Sequence, residues 1–346
     1  MSLHVAVVGA GALGLYYGGL LCKHRDATGV RVSLFVRSDY DALTRRGLIV
    51  RSIDGDFTLP PAAFGVYRDP ARLRLDAGPV DVVLLGLKTT ANATAYDTLI
   101  PPLYDSKYTV ILCLQNGIGN EENLARRFEP ERILGGTAFL CSNRVAPGEI
   151  EHTEHGMVHL APYLENFQAA SAEATPEAIR ELFSTSGVDC HVRPNYVEMR
   201  WRKQIWNVPF NALCTLYDQT TDQLLATQGM PDRIAAIMHE TIELGRRVNA
   251  GLEKINPTLP PHQRIRCGEY RLAEDADAIV AEQLAKTATM GAYKPSMLID
   301  ARAGRPIEYD TIVAACLRER DRHAPDFRMP EIERLADGLG AMASRV

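Results

Sequence analysis

The sequence lacks long uninterrupted apolar runs, closely spaced cysteines and any large excess of one charge. No stretch of about 18 uncharged apolar residues occurs, so we expect no transmembrane helix. The seven cysteines are an odd number without a C-x-x-C pair, which argues against a disulfide framework and favours a reducing compartment. A net charge of −5 offers no global basic field to nucleic acid or anionic membranes. No basic segment precedes the first apolar run, so we expect no signal peptide and a cytoplasmic location.

The composition present is typical of a globular protein with a sizeable core and two domains. The chain has 346 residues, of which 46% are hydrophobic and 23% are charged. In the first half, apolar runs of strand length alternate with helical stretches, whereas helical periodicity dominates after Pro194. We therefore expect one domain over residues 1–193 and a helical domain over residues 194–346.

The first half predicts an α/β fold with a Rossmann-type, doubly wound and mostly parallel sheet. Near-continuous apolar strands with helices between them are typical of a sheet that is covered on both faces. Residues 148–162 alternate in polarity around a His-Gly pair, which predicts a hairpin or edge strands. The other predicted strands are residues 4–8, 30–36, 80–88, 108–117, 132–140 and 188–194.

A glycine-rich turn joins the first predicted strand to a helix predicted over residues 12–23. Gly9, Gly11 and Gly14 form the pattern G-x-G-x-x-G at this junction. In that context the glycines allow a sharp turn, a close approach of the backbone to a pyrophosphate and tight packing of helix on strand. The helix N-terminus offers N–H groups to the phosphates. The turn therefore favours dinucleotide binding over a plain strand-to-helix connection.

The end of the second predicted strand indicates which dinucleotide is bound. An acidic residue there usually holds the ribose 2′-hydroxyl of NAD, but this strand ends in Arg37. A guanidinium suits the 2′-phosphate of NADP through bidentate, charge-assisted hydrogen bonds. Asp39 lies two residues later and blurs this distinction, and a solvated charge is the alternative interpretation of Arg37. We favour NADP(H).

Two further predicted strands end in polar residues. Lys88 and Asn116 follow buried runs, and ligands of open parallel sheets lie beyond the carboxyl ends of the strands. Asn116 precedes a glycine, so plain turn chemistry is its alternative role.

The most informative helical segment carries a polar stripe. Lys203, Asn207 and Asn211 are four residues apart, which places them on one face of a helix that is otherwise mostly apolar. Unpaired buried amides cost about 1–3 kcal/mol each, so we expect this stripe to have partners. Pro209 lies within the segment and predicts a kink or a restart of the helix.

Two other segments give weaker signals. Residues 294–310 contain Ser296, Asp300 and Glu308 around a turn at 304–306, which indicates a site-facing loop between helices. The histidines of residues 152–159 suggest a metal site, but His152 and His155 should point to opposite faces of an extended strand. We therefore predict no metal site and solvent-facing histidines.

Together these segments resemble the ketopantoate reductases, also called 2-dehydropantoate 2-reductases. The resemblance covers essentially the whole chain and rests on five blocks in order, VGAGALG, LKTT, LQNGIG, WRKQIWNVPFN and PSMLIDARAGRPIEYD. It implies a Rossmann domain followed by a helical domain with the active site in the cleft between them. It also implies NADPH-dependent reduction of 2-dehydropantoate to pantoate, on the route to pantothenate and coenzyme A.

The resemblance implies roles for individual residues. Lys203 matches the general acid, and Glu308 matches an acidic residue near the cofactor and the lysine. Thr221 stands where some members have a further substrate-contacting asparagine. The implied cofactor contacts are Gly9, Ala10, Gly11, Ala12, Leu13, Gly14, Arg37, Lys88, Asn116, Ser142 and Glu308, and the implied substrate contacts are Asn116, Lys203, Asn207, Asn211 and Ser296.

Two other functions stay open on the sequence alone. Thr221 leaves room for a reductase of another branched 2-oxo acid, and a non-catalytic NADP-sensing protein would keep the Rossmann domain. A sensor needs no proton donor, so the Lys-Asn-Asn stripe with Ser296 and Glu308 argues against it. We expect a small 2-oxo acid as the partner molecule, and a homodimer is compatible with the sequence.

Overall fold

The computed structural model of the protein describes residues 3–169 and 171–343, which divide into two compact units. The first unit comprises the chain up to Gln115 together with Glu121–Arg193, and the second comprises Asn116–Asn120 together with the chain from Pro194 onward. Every strand of the described residues lies before Pro194 and is followed by a helical region, which confirms the predicted fold class. The five-residue segment Asn116–Asn120 belongs to the second unit and so interrupts the first. No local sequence feature predicts this assignment.

The first unit contains one mixed sheet of ten strands in the order β4-β3-β9-β8-β7-β6-β1-β2-β5, with β10 paired to β9. Neighbours are parallel from β5 to β8, and β8 is antiparallel to β9. The strands are β1 His4–Val8, β2 Arg31–Phe35, β3 Leu48–Ser52, β4 Phe57–Leu59, β5 Gly65–Tyr67, β6 Val82–Leu85, β7 Val110–Cys113, β8 Ile133–Ala146, β9 Glu149–Pro162 and β10 Cys190–Val192.

The strand order contains a topological switch point between β1 and β6. The chain leaves β1 for β2 on one side and later returns to β6 on the other side. The pairs Val8↔Phe35 and Val8↔Leu85 align the carboxyl ends of these three strands. Open α/β sheets bind ligands in the crevice outside such an edge.

The strand β8 is longer than predicted and continues beyond its parallel neighbour. Its pairing with β7 ends at Cys113↔Gly135, whereas β8 itself runs on to Ala146 beside β9. Three shifts in the β8–β9 register mark bulges, and bulges bend a strand. This bent two-stranded arm brings Arg144 close to the segment that follows β2, a strand three positions away from β7 in the sheet.

The predicted hairpin within residues 148–162 is wrong. These residues form the single strand β9, and the connection to β8 is at residues 147–148. The His155–Gly156 pair forms a bulge instead of a turn, with positive φ values of 64° and 132°. A positive φ is common to bulges and turns, so the sequence pattern does not separate them.

The helices of the first unit cover its sheet, whose core is formed by apolar side chains of β1, β2, β6, β7 and the first helix. The helices up to Arg193 are α1 Ala12–Lys23, α2 Arg25–Thr28, α3 Tyr40–Arg46, α4 Pro70–Ala77, α5 Asn92–Thr94, α6 Asn120–Ala125 and α7 Pro176–Thr185, with single 3₁₀ turns at Pro61–Ala63, Thr89–Ala91, Pro130–Arg132 and Ala172–Ala174 and a π-helical turn at Ala95–Leu99.

The second unit is built around two long helices, α8 and α10. Its helices are α8 Tyr196–Tyr217, α9 Thr221–Ala226, α10 Met230–Ile255, α11 Ala276–Thr289, α12 Ser296–Arg302, α13 Ala315–His323 and α14 Pro330–Ala343, with 3₁₀ turns at Asn256–Thr258, Pro261–Gln263 and Arg271–Ala273 and a π-helical turn at Asp310–Ala314. None of the described helices combines the length and apolarity needed to cross a lipid bilayer.

Two helical expectations need correction. Of the kink or restart predicted at Pro209, the restart is wrong, because α8 continues through this proline and the residues on both sides of it are buried. Packing of that apolar face compensates for the backbone hydrogen bond that proline removes. The predicted loop over residues 294–310 contains α12 at its start, so only the part after Arg302 is a loop.

Candidate active site

The glycine-rich turn connects β1 to α1 at the switch point of the sheet. Gly9 has a φ of +100°, and a side chain there would collide with the backbone of Leu87 after β6. A side chain at Gly14 would collide with the carbonyl oxygen of Gly9. These two glycines are therefore required by the protein's own backbone, in agreement with the sharp turn and the close helix packing expected from the motif.

Gly11 is different, because nothing in the protein requires it. No heavy atom lies within 4 Å of the position its Cβ would take, its φ is −83°, and the residue is exposed. It precedes α1, whose first turn has no acidic residue and no side-chain cap. Open space beside uncapped N–H groups fits a pyrophosphate that approaches the backbone. The turn thus fits the dinucleotide predicted from the motif.

The segment after β2 carries the residues expected at the adenosine ribose. Arg37 and Ser38 are exposed, whereas Asp39 is only 2% exposed. Arg144 of the β8 arm donates one hydrogen bond to Ser38 Oγ at 2.7 Å and one to Asp39 Oδ1 at 2.8 Å. This contact could not be predicted from local sequence patterns, because 105 residues separate Arg144 from Asp39.

Lys88 and Ser142 also lie in the first unit. Lys88 is exposed and precedes the turn Thr89–Ala91 after β6. The loop before it is fixed by Gln115, whose amide donates to the carbonyl oxygen of Leu87 at 2.9 Å and to Asn92 Oδ1 at 2.6 Å. Ser142 is half-buried on the β8 arm, at the bulge that follows Cys141. Both residues lie beyond the carboxyl ends of the parallel strands.

Asn116 belongs to the second unit although it follows a strand of the first. Gly117 has a φ of +86°, and a side chain there would meet the backbone of Thr311. The amide of Ile118 donates to the carbonyl oxygen of Thr311 at 3.0 Å, and Asn120 Nδ2 donates to the carbonyl oxygen of Asn116 at 2.9 Å. These contacts fix Asn116 close to the π-helical segment.

The polar stripe of α8 forms a chain of buried amides. Asn207 and Asn211 are 2% and 3% exposed. Asn207 Nδ2 donates to Gln204 Oε1 at 3.4 Å, and Asn211 Nδ2 donates to Asn207 Oδ1 at 3.3 Å. The expectation that the stripe has partners is confirmed. Lys203 is half-buried and lies one turn before Asn207 on the same face.

The amide chain continues into α12. The backbone amide of Met297 donates to Asn211 Oδ1 at 3.1 Å and so ties the first turn of α12 to α8. Ser296, the first residue of α12, is half-buried and adjacent to this contact. Within the second unit, the structure thus brings Ser296 next to the end of the stripe that the sequence singled out.

Thr221 has a structural role that the sequence left open. Its side chain is fully buried, its hydroxyl donates to the carbonyl oxygen of Gly291 at 2.8 Å, and its amide donates to that of Tyr293 at 3.0 Å. These contacts hold the segment before α12. The hydroxyl proton of Thr221 is therefore used inside the protein.

Glu308 is buried at 2% exposure and lies two residues before the π-helical turn Asp310–Ala314. That turn is tied to α8 by Gln204, whose amide donates to the carbonyl oxygen of Ile312 at 3.2 Å. The same side chain of Gln204 accepts from Asn207, so it links the stripe to the segment of Glu308. Gln204 was missed in the sequence, where it reads as an ordinary polar helix residue.

The prediction of solvent-facing histidines in β9 is confirmed for His155, which is exposed, and is wrong for His152 and His159. His152 and His159 are 2% and 3% exposed, because β9 lies inside the sheet between β3 and β8. His152 packs against Tyr16 and bonds to Ser52 Oγ at 2.8 Å, and His159 bonds to Arg193 at 2.7 Å.

The bulge in β9 places Glu154 and the exposed His155 beside Cys141, with ligand-type atoms within 4.8 Å of one another. Only Cys141 of the three is buried, and His155 already pairs with Glu154 at 3.7 Å. We assign no metal to this group.

Comparison with known proteins gives one consistent family. The family described as "Ketopantoate reductase PanE/ApbA" matches residues 5–165, and its C-terminal counterpart matches residues 195–341. A 2-dehydropantoate 2-reductase of Nostoc sp. is 33% identical over 308 residues, which cover 89% of this chain and 86% of the relative.

Solved structures agree with this result. The crystal structure of 2-dehydropantoate 2-reductase from Geobacter metallireducens is 40% identical with a TM-score of 0.83, over 98% of this chain and 100% of that chain. A ternary structure of D-mandelate dehydrogenase with NADH and anilino(oxo)acetate shares the fold at 22% identity and a TM-score of 0.76, over 99% of each chain. Similar folds therefore occur in oxidoreductases that are named for different substrates.

Proposed function

Since the chain belongs to the ketopantoate reductase PanE/ApbA family of oxidoreductases, we propose that it reduces 2-dehydropantoate to pantoate with NADPH. In this proposal residues 1–193 form the NADP-binding domain and residues 194–346 supply the substrate-binding and catalytic residues. The observation that carries it is the stripe Lys203–Asn207–Asn211, a cation and two buried amides in series on a largely apolar helix. Such a stripe suits a small polar substrate that must receive a proton.

Reduction of a 2-oxo acid requires a hydride at the keto carbon and a proton at the keto oxygen. The reduced nicotinamide supplies the hydride when the cofactor is bound. In the proposal, the ammonium group of Lys203 stabilises the negative charge that grows on the oxygen and then donates the proton. Glu308 keeps this lysine oriented, and its burial holds it in one position.

The other residues of the second unit would hold the substrate. Ser296 is the first residue of α12 and is half-buried beside the stripe, so its hydroxyl is suited to bind the carboxylate. Asn207 and Asn211 would bind the hydroxyl end, and Asn116 would contact both substrate and nicotinamide. The amide chain fixes these groups before substrate arrives, which reduces the entropic cost of binding.

In the first unit, the glycine-rich turn Gly9–Gly14, with Ala10, Ala12 and Leu13, would bind the pyrophosphate. Arg37 would bind the 2′-phosphate, and Lys88 and Ser142 would contact the remainder of the cofactor. The open position at Gly11 supports this assignment. All seven cysteines are free, which supports a reducing, cytoplasmic setting and a place in pantothenate and coenzyme A synthesis.

A second substrate is favoured by one specific observation. The hydroxyl of Thr221 is used by Gly291, so the chain lacks one of the donors that the resemblance implies for the pantoate diol. A reductase of another branched 2-oxo acid is therefore the alternative.

One assay separates these proposals. The purified chain is mixed with NADPH and 2-dehydropantoate, and cofactor oxidation is followed by absorbance; the assay is repeated with NADH and with other branched 2-oxo acids. We expect the highest kcat/KM for NADPH with 2-dehydropantoate. A higher value for another 2-oxo acid would support the alternative, and bound NADPH without oxidation by any of them would contradict both.

A further inference from the structure

We propose that Arg144 makes the protein select NADPH over NADH, by neutralising Asp39 and by adding a second guanidinium beside Arg37. This inference rests on the proposed function only in assuming that a nicotinamide dinucleotide binds at the glycine-rich turn. The identity of the 2-oxo acid does not enter it.

The three residues lie where the adenosine ribose of a dinucleotide is expected. The segment Arg37–Asp39 follows β2, and β2 pairs in parallel with β1, which leads into the glycine-rich turn. In this arrangement the end of the second strand contacts the ribose 2′ position. Any charge in the segment therefore affects a 2′-phosphate more than the rest of the cofactor.

The carboxylate of Asp39 is unfavourable for binding the 2′-phosphate of NADPH. A carboxylate in this segment normally accepts the ribose 2′-hydroxyl of NAD and repels a 2′-phosphate. Asp39 is 2% exposed, and its Oδ2 atom is buried without a hydrogen-bond partner among the described residues. A buried carboxylate that is satisfied on one oxygen only is poorly screened by solvent, so its charge acts strongly on its neighbours.

Arg144 supplies the compensation. Its Nη1 atom donates to both Asp39 Oδ1 and Ser38 Oγ, at 2.8 and 2.7 Å. Its Nε and Nη2 atoms make no hydrogen bond to any other described residue, and its side chain is 39% exposed. The guanidinium therefore offers further donors on an accessible side while it holds Asp39, which matches the fork geometry used for phosphate oxygens.

The local charge balance decides the preference. Arg37 and Arg144 contribute two positive charges and Asp39 one negative charge, which leaves one net positive charge for a phosphate that carries about −1.5 to −2. Without Arg144 the segment would be neutral, and the negative charge of Asp39 would be uncompensated near the expected 2′-phosphate. NADH has no 2′-phosphate and is much less affected by this change.

A purely structural role for Arg144 is the competing interpretation. The β8–β9 arm contacts the α3 region, and Arg144 could simply fasten the two together. The chain offers a matched control, because Arg46 at the end of α3 donates to the carbonyl oxygen of Pro147 at 3.0 Å and fastens the same two elements. Arg46 touches neither Ser38 nor Asp39.

The test is the binding of cofactors by the full chain without any 2-oxo acid. Dissociation constants for NADPH, NADH, 2′,5′-ADP and 5′-AMP are measured by calorimetry for the wild type, Arg144→Met, Arg46→Met, Asp39→Asn and the double variant Arg144→Met/Asp39→Asn. Arg144→Lys is added because it keeps the charge should the methionine variant fold poorly, and thermal unfolding of every variant is recorded.

We expect Arg144→Met to weaken binding of NADPH and 2′,5′-ADP about tenfold or more, and of NADH and 5′-AMP less than about threefold. Adding Asp39→Asn should restore part of the loss, and Arg46→Met should alter none of the four constants. Arg144→Lys should keep most of the preference.

Two results would overturn the inference. Equal losses for NADPH and NADH in Arg144→Met, matched by Arg46→Met, would identify a structural fastening. A wild type that prefers NADPH together with an Arg144→Met variant that keeps the full preference would remove Arg144 from the site while the proposed cofactor stands. A wild type without preference would contradict the proposed cofactor itself.

Discussion

The glycine-rich edge of the first unit and the polar stripe of the second unit are built in opposite ways. At the glycine-rich edge the site is formed by the backbone. Close backbone contacts require glycine at positions 9 and 14, and Gly11 leaves an open surface. On α8 the site is formed by side chains. Three side-chain amides of α8 and a backbone N–H of α12 form a hydrogen-bonded series. Backbone-built sites appear as local sequence motifs, whereas side-chain-built sites depend on which helices pack together.

Among the substitutions considered for the two regions, we expect the largest loss of activity at Lys203 of the polar stripe. Lys203→Ala should lower kcat by roughly 10²–10⁴-fold, because the proton donor is lost, with little change in the dissociation constant of NADPH. Pre-steady-state and steady-state oxidation of NADPH measure this. Arg202→Ala on the same helix is the control, since Arg202 is exposed and forms an ion pair with Glu198 at 3.6 Å. Unchanged turnover in Lys203→Ala would remove the lysine from its role.

In the glycine-rich turn, Gly11 and Gly9 should differ in whether their substitution affects cofactor binding or stability. Gly11→Val should weaken NADPH binding by about tenfold or more while the melting temperature stays near that of the wild type, because its side chain enters space that the protein leaves open. Gly9→Ala should instead lower the melting temperature, because it collides with the backbone of Leu87. Calorimetric binding and thermal unfolding separate the two. A destabilised Gly11→Val with intact binding would contradict the assignment.

Asn211 and Thr221 test whether buried polar groups of the second unit differ in purpose. Asn211→Leu should raise KM for the 2-oxo acid and destabilise the fold by about 1–3 kcal/mol, because the amide of Met297 loses its acceptor. Thr221→Val should destabilise the fold by a similar amount but leave KM unchanged, since its hydroxyl serves Gly291. Urea unfolding and steady-state kinetics measure both, and a raised KM in Thr221→Val would show that the threonine contacts substrate.

The smallest expected effect concerns pH and lies away from both regions. Burial lowers the pKa of His4, whose ring contacts Ser33 Oγ at 2.9 Å and the carbonyl oxygen of Pro79 at 2.7 Å. The unfolded chain then binds a proton at higher pH than the folded chain, so the stability that neutral His4 provides is full above its usual pKa of 6.5 and decreases as the pH falls below it.

Replacing His4 by Gln should reduce the loss of stability between about pH 7.5 and about pH 5.5, measured as the shift of the urea midpoint. His239→Gln is the control, because that ring is exposed beside Asp277. An identical pH dependence in the wild type and His4→Gln would show that His4 does not carry this linkage.

Local patterns in the sequence predicted much of the fold. The bounds of β1 and α1 are as predicted, because an apolar run, three glycines and a helix signal act within twenty residues. The strands β3, β4 and β5 were not predicted, since these short segments have little periodicity of their own. The bulge at His155–Gly156 was taken for a turn because both use glycine with positive φ.

In the candidate site, too, local sequence patterns predicted some residues, whereas residues that act through long-range contacts were missed. The stripe of α8 was predicted from the four-residue spacing of its members, and its partners were expected from the cost of burying amides. Gln204, Gln115 and Arg144 could not be found, because each acts on residues that only the folded chain brings near. The structural role of Thr221 likewise depends on Gly291, seventy residues away.

The proposed role of Lys203 as proton donor is best examined in a crystal structure of the protein with NADP⁺ and pantoate. We expect Lys203 Nζ to donate a hydrogen bond to the C2 hydroxyl oxygen of pantoate, at about 2.7–3.2 Å, with the nicotinamide C4 on the opposite side of that carbon. A lysine amine directed away from this oxygen, with another group of the chain as its hydrogen-bond donor, would contradict it.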